Sequence, residues 1–263
     1  MDVFEILNRH YHSHDEESRL LSRHGQVEYL TTQHYIRAYA DAINAKRILE
    51  IGAGTGRYSV PLAKAGYDVT AVELVEHNLA LLREKLDGSE PLTALQGNAL
   101  DLSRFPDGDF DLTLLLGPMY HLFTFEDQQQ ALSEAVRVTR PGGYILVSYC
   151  MNEPTVIDYI FRRGNLGSVL ENKMLTEDWH CKSEPKEIFE LYRTEDIAAL
   201  NAAVNVTREK LVATDGATNY LKEMIDEMDD FTFAKWVEYH FAVCERQDLI
   251  GASHHTLDIL RKR

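Results

Sequence analysis

Apolar positions along this chain recur at two periods, one near two and one near 3.6, and the two kinds of block alternate. "RILEI" (47–51) is a short apolar run in front of glycines and predicts a buried strand. "TGRYSVPLAKAG" (55–66) has helical spacing and closes on Gly66, and "YDVTAVEL" (67–74) predicts a second strand. The series continues with a helix from about Val75 to Lys85 and strands at "LTALQGN" (92–98) and "FDLTLLLG" (110–117). A helix from Glu126 to Thr139, stopped by Pro141-Gly142-Gly143, and a fifth strand at "YILVSYC" (144–150) complete it. Upstream, Val27, Leu30, Tyr35, Ile36, Tyr39 and Ile43 fall at near-helical spacing and predict an amphipathic helix from Gln26 to Ala45.

After Cys150 the regularity is lost, so residues 151–193 read as an insertion. "RTEDIAALNAA" then reads as a capped helix, "VNVTREKLVAT" as a sixth strand and "HHTLDIL" as a seventh, with helices around Asn219–Met228 and Phe231–Arg246 between the strands. Strand-helix alternation of this kind implies the α/β class, a mostly parallel sheet with helices on both faces and its ligand at the strands' carboxyl ends. No internal repeat or Pro/Gly/Ser-rich linker divides the chain, which predicts a single domain over 1–263. Its expected parts are an N-terminal helical lid (1–45), a ligand-binding core (46–150), a substrate cap inserted after strand five (151–193) and the C-terminal part of the core (194–263).

Composition narrows the partners. A formal charge of −15 over 263 residues disfavours adhesion to nucleic acid or anionic membrane and favours a small molecule. Neither a basic, apolar leader nor a run near the roughly 18 apolar residues of a membrane span is present, so a cytoplasmic protein is expected. Cys150, Cys181 and Cys244 are too scattered for a disulfide framework or a structural zinc site.

The richest local signal is Gly52, Gly54 and Gly56, a G-x-G-x-G directly behind Glu50-Ile51. A dinucleotide fingerprint would need a small residue where Arg57 stands, and a P-loop would need Gly-Lys-Ser/Thr after its glycines. At these residues the chain resembles the class I S-adenosylmethionine-dependent methyltransferases, whose first motif looks like "LEIGAGTG" (49–56). Further likeness lies in Glu73 at the end of strand two, 21 residues beyond Gly52, in "GNALDL" (97–102), "FDLTLLLGPMYHL" (110–122) and "VTRPGGYILVS" (138–148). The resemblance is strong over about residues 22–150 and weak beyond.

What the resemblance implies is a Rossmann-like seven-stranded sheet, S-adenosyl-L-methionine as cofactor and methyl transfer as reaction. It places Glu50 near the cofactor's amino group, Glu73 on the ribose hydroxyls, and Gly52, Ala53, Gly54, Thr55, Gly56, Leu74, Ala99, Leu116 and Gly117 around the remainder. Asn98 stands where the family has an Asp, and offers an amide rather than a charge to the adenine edge. The plainer alternatives are a cap of the glycine turn for Glu50 and a solvated strand end for Glu73.

Methyl transfer from a sulfonium is an in-line displacement, which asks chiefly for proximity and exclusion of water. Just past strand four, Met119, Tyr120 and His121 are placed to give an apolar wall, an aromatic contact and a general base, although His121 is as readily a hydrogen-bonded structural residue. If the Gln26 helix runs into strand one, the segment before it overhangs the ligand, making Tyr11, Arg19, His24 and Gly25 lid candidates. Tyr149 and Trp179 are candidates for the acceptor cap, and Arg162-Arg163 for an acidic group on the acceptor.

"LGPMY" lacks the Asn/Asp-Pro-Pro-Tyr/Phe pattern of base-amino methyltransferases, which argues against nucleic acid. No metal is expected: His10-x-His12-x-His14-Asp15 has no supporting ligands, and His254 and His255 would point to opposite faces of a strand. The leading expectation is a small-molecule methyltransferase, monomeric or homodimeric. Its rivals are a nucleic-acid or protein methyltransferase, a noncatalytic cofactor-binding regulator, a nicotinamide-dependent oxidoreductase and an aminopropyl transferase.

Overall fold

The computed structural model describes residues 3–13 and 17–263. Seven strands, β1 (Arg47–Ile51), β2 (Asp68–Glu73), β3 (Leu92–Gln96), β4 (Phe110–Leu115), β5 (Thr139–Cys150), β6 (Val206–Ala213) and β7 (His255–Lys262), form one sheet in the order β3-β2-β1-β4-β5-β7-β6. The first five pair in parallel, whereas β7 runs antiparallel to both β5 and β6. Alternate residues of β1 serve two cores, as the two-residue period of a strand requires. Leu49 and Ile51 pack with Leu132 and Val136 of α5 (Phe125–Val138), while Ile48 packs with Ile36 of α2 (Arg23–Ala42) and Leu62 of α3 (Ser59–Lys64). Both faces of the sheet are therefore covered by helices.

The amphipathic helix before β1 begins three residues earlier than its pattern predicts, at Arg23, because Ser22 caps it by accepting the Gly25 N–H at 3.2 Å. A larger difference concerns Pro141-Gly142-Gly143. α5 has already ended at Val138, where Thr139 turns extended and its hydroxyl bonds both Ala135 O and Thr113 Oγ1 at 2.7 Å. β5 thus starts at Thr139, and Pro-Gly-Gly occupies the irregular pairing between Phe110 and Leu112 rather than a helix end. Proline is tolerated there because the ladder is interrupted.

A first helix and the amino-terminal half of α2, which brings Glu28 and Thr32 to the cavity below, lie over the carboxyl edge of the sheet. α1 (Val3–Ser13) puts Val3, Leu7 and Tyr11 on one face at four-residue spacing, and His12 stacks on His77 of α4 (Glu76–Glu84) with ring centroids 4.7 Å apart. His10 and His12 are helical, so the alternate-position geometry considered for a metal does not arise; His14 and Asp15 lie outside the described residues. Among the described residues no helix is long and apolar enough to cross a membrane.

Gly143 is where β5 passes closest to its neighbours: a Cβ there would lie 2.5 Å from Asp111 O and 2.8 Å from Thr139 Cγ2. Gly143→Ala is expected to lower stability by about 1–3 kcal/mol, as overpacking does. Gly167→Ala, in the helix Leu166–Glu171 with open space around its Cβ, is expected to be neutral or stabilising by up to about 1 kcal/mol. Urea midpoints of the two variants decide this, and equal midpoints would remove the close-approach account.

Candidate functional site

A cavity of about 720 Å³ runs along the carboxyl ends of β2, β1, β4 and β5 to the start of β7. Small-molecule sites span roughly 300–1,000 Å³, so it has room for a sizeable ligand. The turn after β1 forms its floor at one end. Gly54 has φ +54°, and a Cβ on it would meet nothing within 4 Å, so this backbone faces open cavity. Thr55, beside it, has a buried hydroxyl that makes no well-aligned hydrogen bond among the described residues, with the Glu17 carboxylate near it.

Glu73 ends β2 and holds this turn in place. One carboxylate oxygen accepts the Gly54 N–H at 2.7 Å and the other the Val75 N–H at 2.8 Å. Burial raises its pKa above the ordinary carboxylate value, and those N–H donors oppose the rise. Glu50, under the turn, accepts a short hydrogen bond from Ser59 Oγ, and burial pushes its pKa up to about 8. In the loop after β3, Asn98 accepts the Leu100 N–H on Oδ1 at 3.0 Å, which leaves its amide nitrogen as the donor toward the cavity that Asn98 lines. Gly52, Ala53, Leu74, Ala99, Leu116 and Gly117 also line this end. Gly56 does not, since it packs against Leu82 and Val60 beneath the turn.

The other end is built from β4, β5, β7 and the two overlying helical segments. Tyr120 and His121, in the short helix Pro118–His121, line it, as do Tyr11 and Arg19. Both ring nitrogens of His121 are engaged. A carbonyl can only accept, so Nδ1 carries the proton and donates to Ile188 O at 2.8 Å, while Nε2 accepts from the Tyr11 hydroxyl at 2.8 Å. Burial pushes the His121 pKa down to about 4, so the ring is neutral at pH 7.

Several expected contacts lie elsewhere. Met119 is fully buried in the core, where Tyr192 OH donates to its carbonyl at 2.8 Å. Tyr149 is equally buried, with its ring 4.8 Å from that of Tyr192, because strand alternation turns it away from the cavity while Cys150 faces it. Trp179 packs on Phe161 at the exposed surface, and His24 pairs with Asp226 at 2.7 Å. Arg162 and Arg163 both pair with Asp158. From the 151–193 insertion, Pro185 and Phe189 reach the cavity.

Residues not expected at the site also line it: Glu28, Ser148 and Thr214, together with Cys150 and His255, which the sequence presented only as a scattered thiol and an unsupported metal ligand. Glu28 sits buried in α2 and receives the Arg19 guanidinium on both oxygens, at 2.9 and 3.3 Å. Glu28, Asp215 and His255 bring three ligand-type atoms within 4.8 Å of one another. Hydrogen bonds account for that grouping, because Asp215 accepts from His255, Ser253 and Asn219 and Glu28 is forked by Arg19. Only an antiparallel β7 starts at the carboxyl edge, and nothing in "HHTLDIL" announces its direction.

Residues 49–147 match the family described as a methyltransferase domain. A demethylmenaquinone methyltransferase of Renibacterium salmoninarum is 32% identical over 120 residues, 44% of this chain and 48% of that protein. A ubiquinone biosynthesis O-methyltransferase of Rickettsia felis is 27% identical over 203 residues, 75% of this chain and 79% of that one. The chain spans about half the length of most curated relatives it matches, between 40% and 54% for the first three. In fold it is similar to an S-adenosylmethionine-dependent methyltransferase from Thermotoga maritima, with a TM-score of 0.59 at 19% identity over 99% of this chain and 100% of that one. Residues 49–147 thus carry a methyltransferase domain, and with the glycine turn, the acidic end of β2 and this strand order they are similar to the class I S-adenosylmethionine-dependent methyltransferases.

Proposed function

We propose that this protein transfers the methyl group of S-adenosylmethionine to a small-molecule acceptor, and that it does so in the cytoplasm without a nucleic-acid partner. The observation that carries the reading is one continuous cavity joining the glycine turn to an aromatic and polar chamber, with room for cofactor and acceptor side by side. The relatives named for menaquinone and ubiquinone methylation support a small acceptor, as does the acidic charge.

The residues at the glycine end fit the cofactor. Gly54 leaves backbone bare toward the cavity, the Thr55 hydroxyl makes no well-aligned hydrogen bond, and Asn98 has a free amide donor. Glu50 holds the amino group, and the remaining lone pairs of Glu73 accept from the ribose hydroxyls while its N–H bonds keep the turn rigid. When bound, the cofactor supplies an electrophilic methyl carbon on its sulfonium. Val3, Phe4 and Leu7 of α1 roof the chamber against water, and the Tyr11–His121–Ile188 bonds latch that roof to the insertion. With both nitrogens occupied, His121 serves the latch rather than proton removal, and Tyr120 shapes the acceptor wall. Transfer then rests on proximity and orientation.

Calorimetric titration with S-adenosylhomocysteine, S-adenosylmethionine and NAD tests the reading directly: saturable binding of the first two and none of NAD is expected, and binding of NAD alone would end it. Gly54→Val, whose branched side chain enters the cavity from a positive-φ position, is expected to abolish S-adenosylhomocysteine binding. A pH dependence follows from Glu50. Its neutral form dominates the free protein below about pH 8, yet the ligand's ammonium requires the carboxylate. Affinity for S-adenosylhomocysteine should therefore climb from pH 6 to 8, by up to about tenfold per unit for one linked proton. Glu50→Gln should flatten that climb, and an unchanged slope would remove Glu50 from the amino group. Tyr11→Phe should speed hydrogen exchange in α1 and leave β1 and β4 unchanged, as loss of one latch bond requires.

A further inference from the structure

We propose that the methyl acceptor carries an oxygen anion, a carboxylate or an ionised phenol or enol, which His255 receives at the end of the cavity opposite the glycine turn. The inference rests on the methyl-transfer reading for the word acceptor, but the anion site itself stands on its own residues.

His255 is the first residue of β7 and lies across from Cys150 at the carboxyl edge of the sheet. Its Nδ1 is 2.7 Å from Asp215 Oδ2. Asp215 is wholly buried and also accepts from Ser253 Oγ at 2.6 Å, Asn219 Nδ2 at 2.6 Å and the His255 backbone N–H at 3.2 Å. So many donors hold that carboxylate ionised, well below the usual carboxylate range despite its burial. Nδ1 therefore carries a proton, and the ring orientation is set by a group that no ligand reaches. The His255 side chain is 21% exposed where Asp215 is 0%, and its ring lines the cavity. Among the described residues Nε2 has no hydrogen-bond partner, which leaves it for a ligand.

The groups facing this imidazole are Glu28, whose carboxylate is 3.4 Å from Nδ1, Asp215, the Cys150 sulfur, the Tyr120 ring at 6.0 Å and, through Glu28, Arg19. Burial works against a charged ring, but the Glu28 and Asp215 carboxylates outweigh it and hold the His255 pKa well above its ordinary value. At neutral pH the Nε2–H is thus a charged donor. The two cations here, Arg19 and His255, are matched by two carboxylates, Glu28 and Asp215, but both carboxylates are held on the Nδ1 side of the ring, so the Nε2–H is the donor left facing the cavity. A charged N–H donor of this kind is complementary to one anionic oxygen. An independent sign comes from Thr214, which is buried, lines the same cavity and has a hydroxyl with no hydrogen-bond partner. An ammonium-bearing acceptor would instead meet the His255 Nε2–H, a donor where it needs an acceptor.

The test follows the His255 ring resonances by NMR at pH 7, assigned by their absence in His255→Gln, while benzoate, benzylamine or benzyl alcohol is added. Benzoate is expected to shift them saturably and to bind at least about tenfold more tightly than its amine and alcohol counterparts, the scale of one charge-assisted hydrogen bond. His255→Gln and Thr214→Val should each weaken benzoate while leaving S-adenosylhomocysteine affinity unchanged. Equal or tighter binding of benzylamine, or benzoate affinity untouched in His255→Gln, would overturn the proposal. Because selectivity is read on the wild-type protein without cofactor, a failure of S-adenosylhomocysteine to bind would remove methyl transfer and leave the anion site standing. The converse result would remove the anion site alone.

Discussion

Two backbone N–H groups, those of Gly54 and Val75, converge on the Glu73 carboxylate, and the ligand-facing edge of the sheet is organised around them. A third tie runs from Gly97 N–H to the Glu73 carbonyl at 3.0 Å, so one residue joins the loops that follow β1, β2 and β3. Each loop would otherwise bury an unsatisfied N–H, at about 1–3 kcal/mol apiece. Held this way, the turn keeps Gly54 at positive φ with its bare backbone facing the cavity. The same residue lines the cavity, so the carboxylate that holds the turn also borders the space a ligand would enter.

The far end of the cavity depends on a different constraint, the reversal of β7. An antiparallel strand enters the sheet at the edge where its parallel neighbours finish, which sets His255 beside Cys150 on one side and beside Thr214, whose N–H donates to His255 O at 3.0 Å, on the other. Asp215 then fixes the ring, and the Arg19–Glu28 pair closes the site from above. α1 completes the roof through contacts made almost entirely by side chains, His12 on His77 and Tyr11 on His121. Such a roof can be loosened without disturbing the sheet beneath it.

How much of this could be read beforehand follows from how local each feature is. The strands that start the fold have short apolar runs bounded by turn residues, and Glu50, the glycines, Glu73 and Asn98 sit at strand ends whose position is set by that same pattern. Met119 and Tyr149 were harder, because which face of a strand or turn meets a cavity depends on what covers it; both went into the core beside Tyr192. The start of β5 was placed at Tyr144 rather than Thr139, because Thr139 is held in the strand by a buried bond to Thr113, a partner on another strand. Pro141 was simply the louder signal.

By itself the sequence determined the class of fold, the place of the glycine turn that borders the cavity and the acidic character that disfavours nucleic acid, since each rests on periodicity, glycine at fixed offsets or summed charge. Only the tertiary structure decided that His121 is latched at both nitrogens and that Glu28, Asp215 and His255 meet. Those residues lie far apart along the chain, and their encounter depends on the direction of one strand and the landing of one helix, which no local pattern encodes.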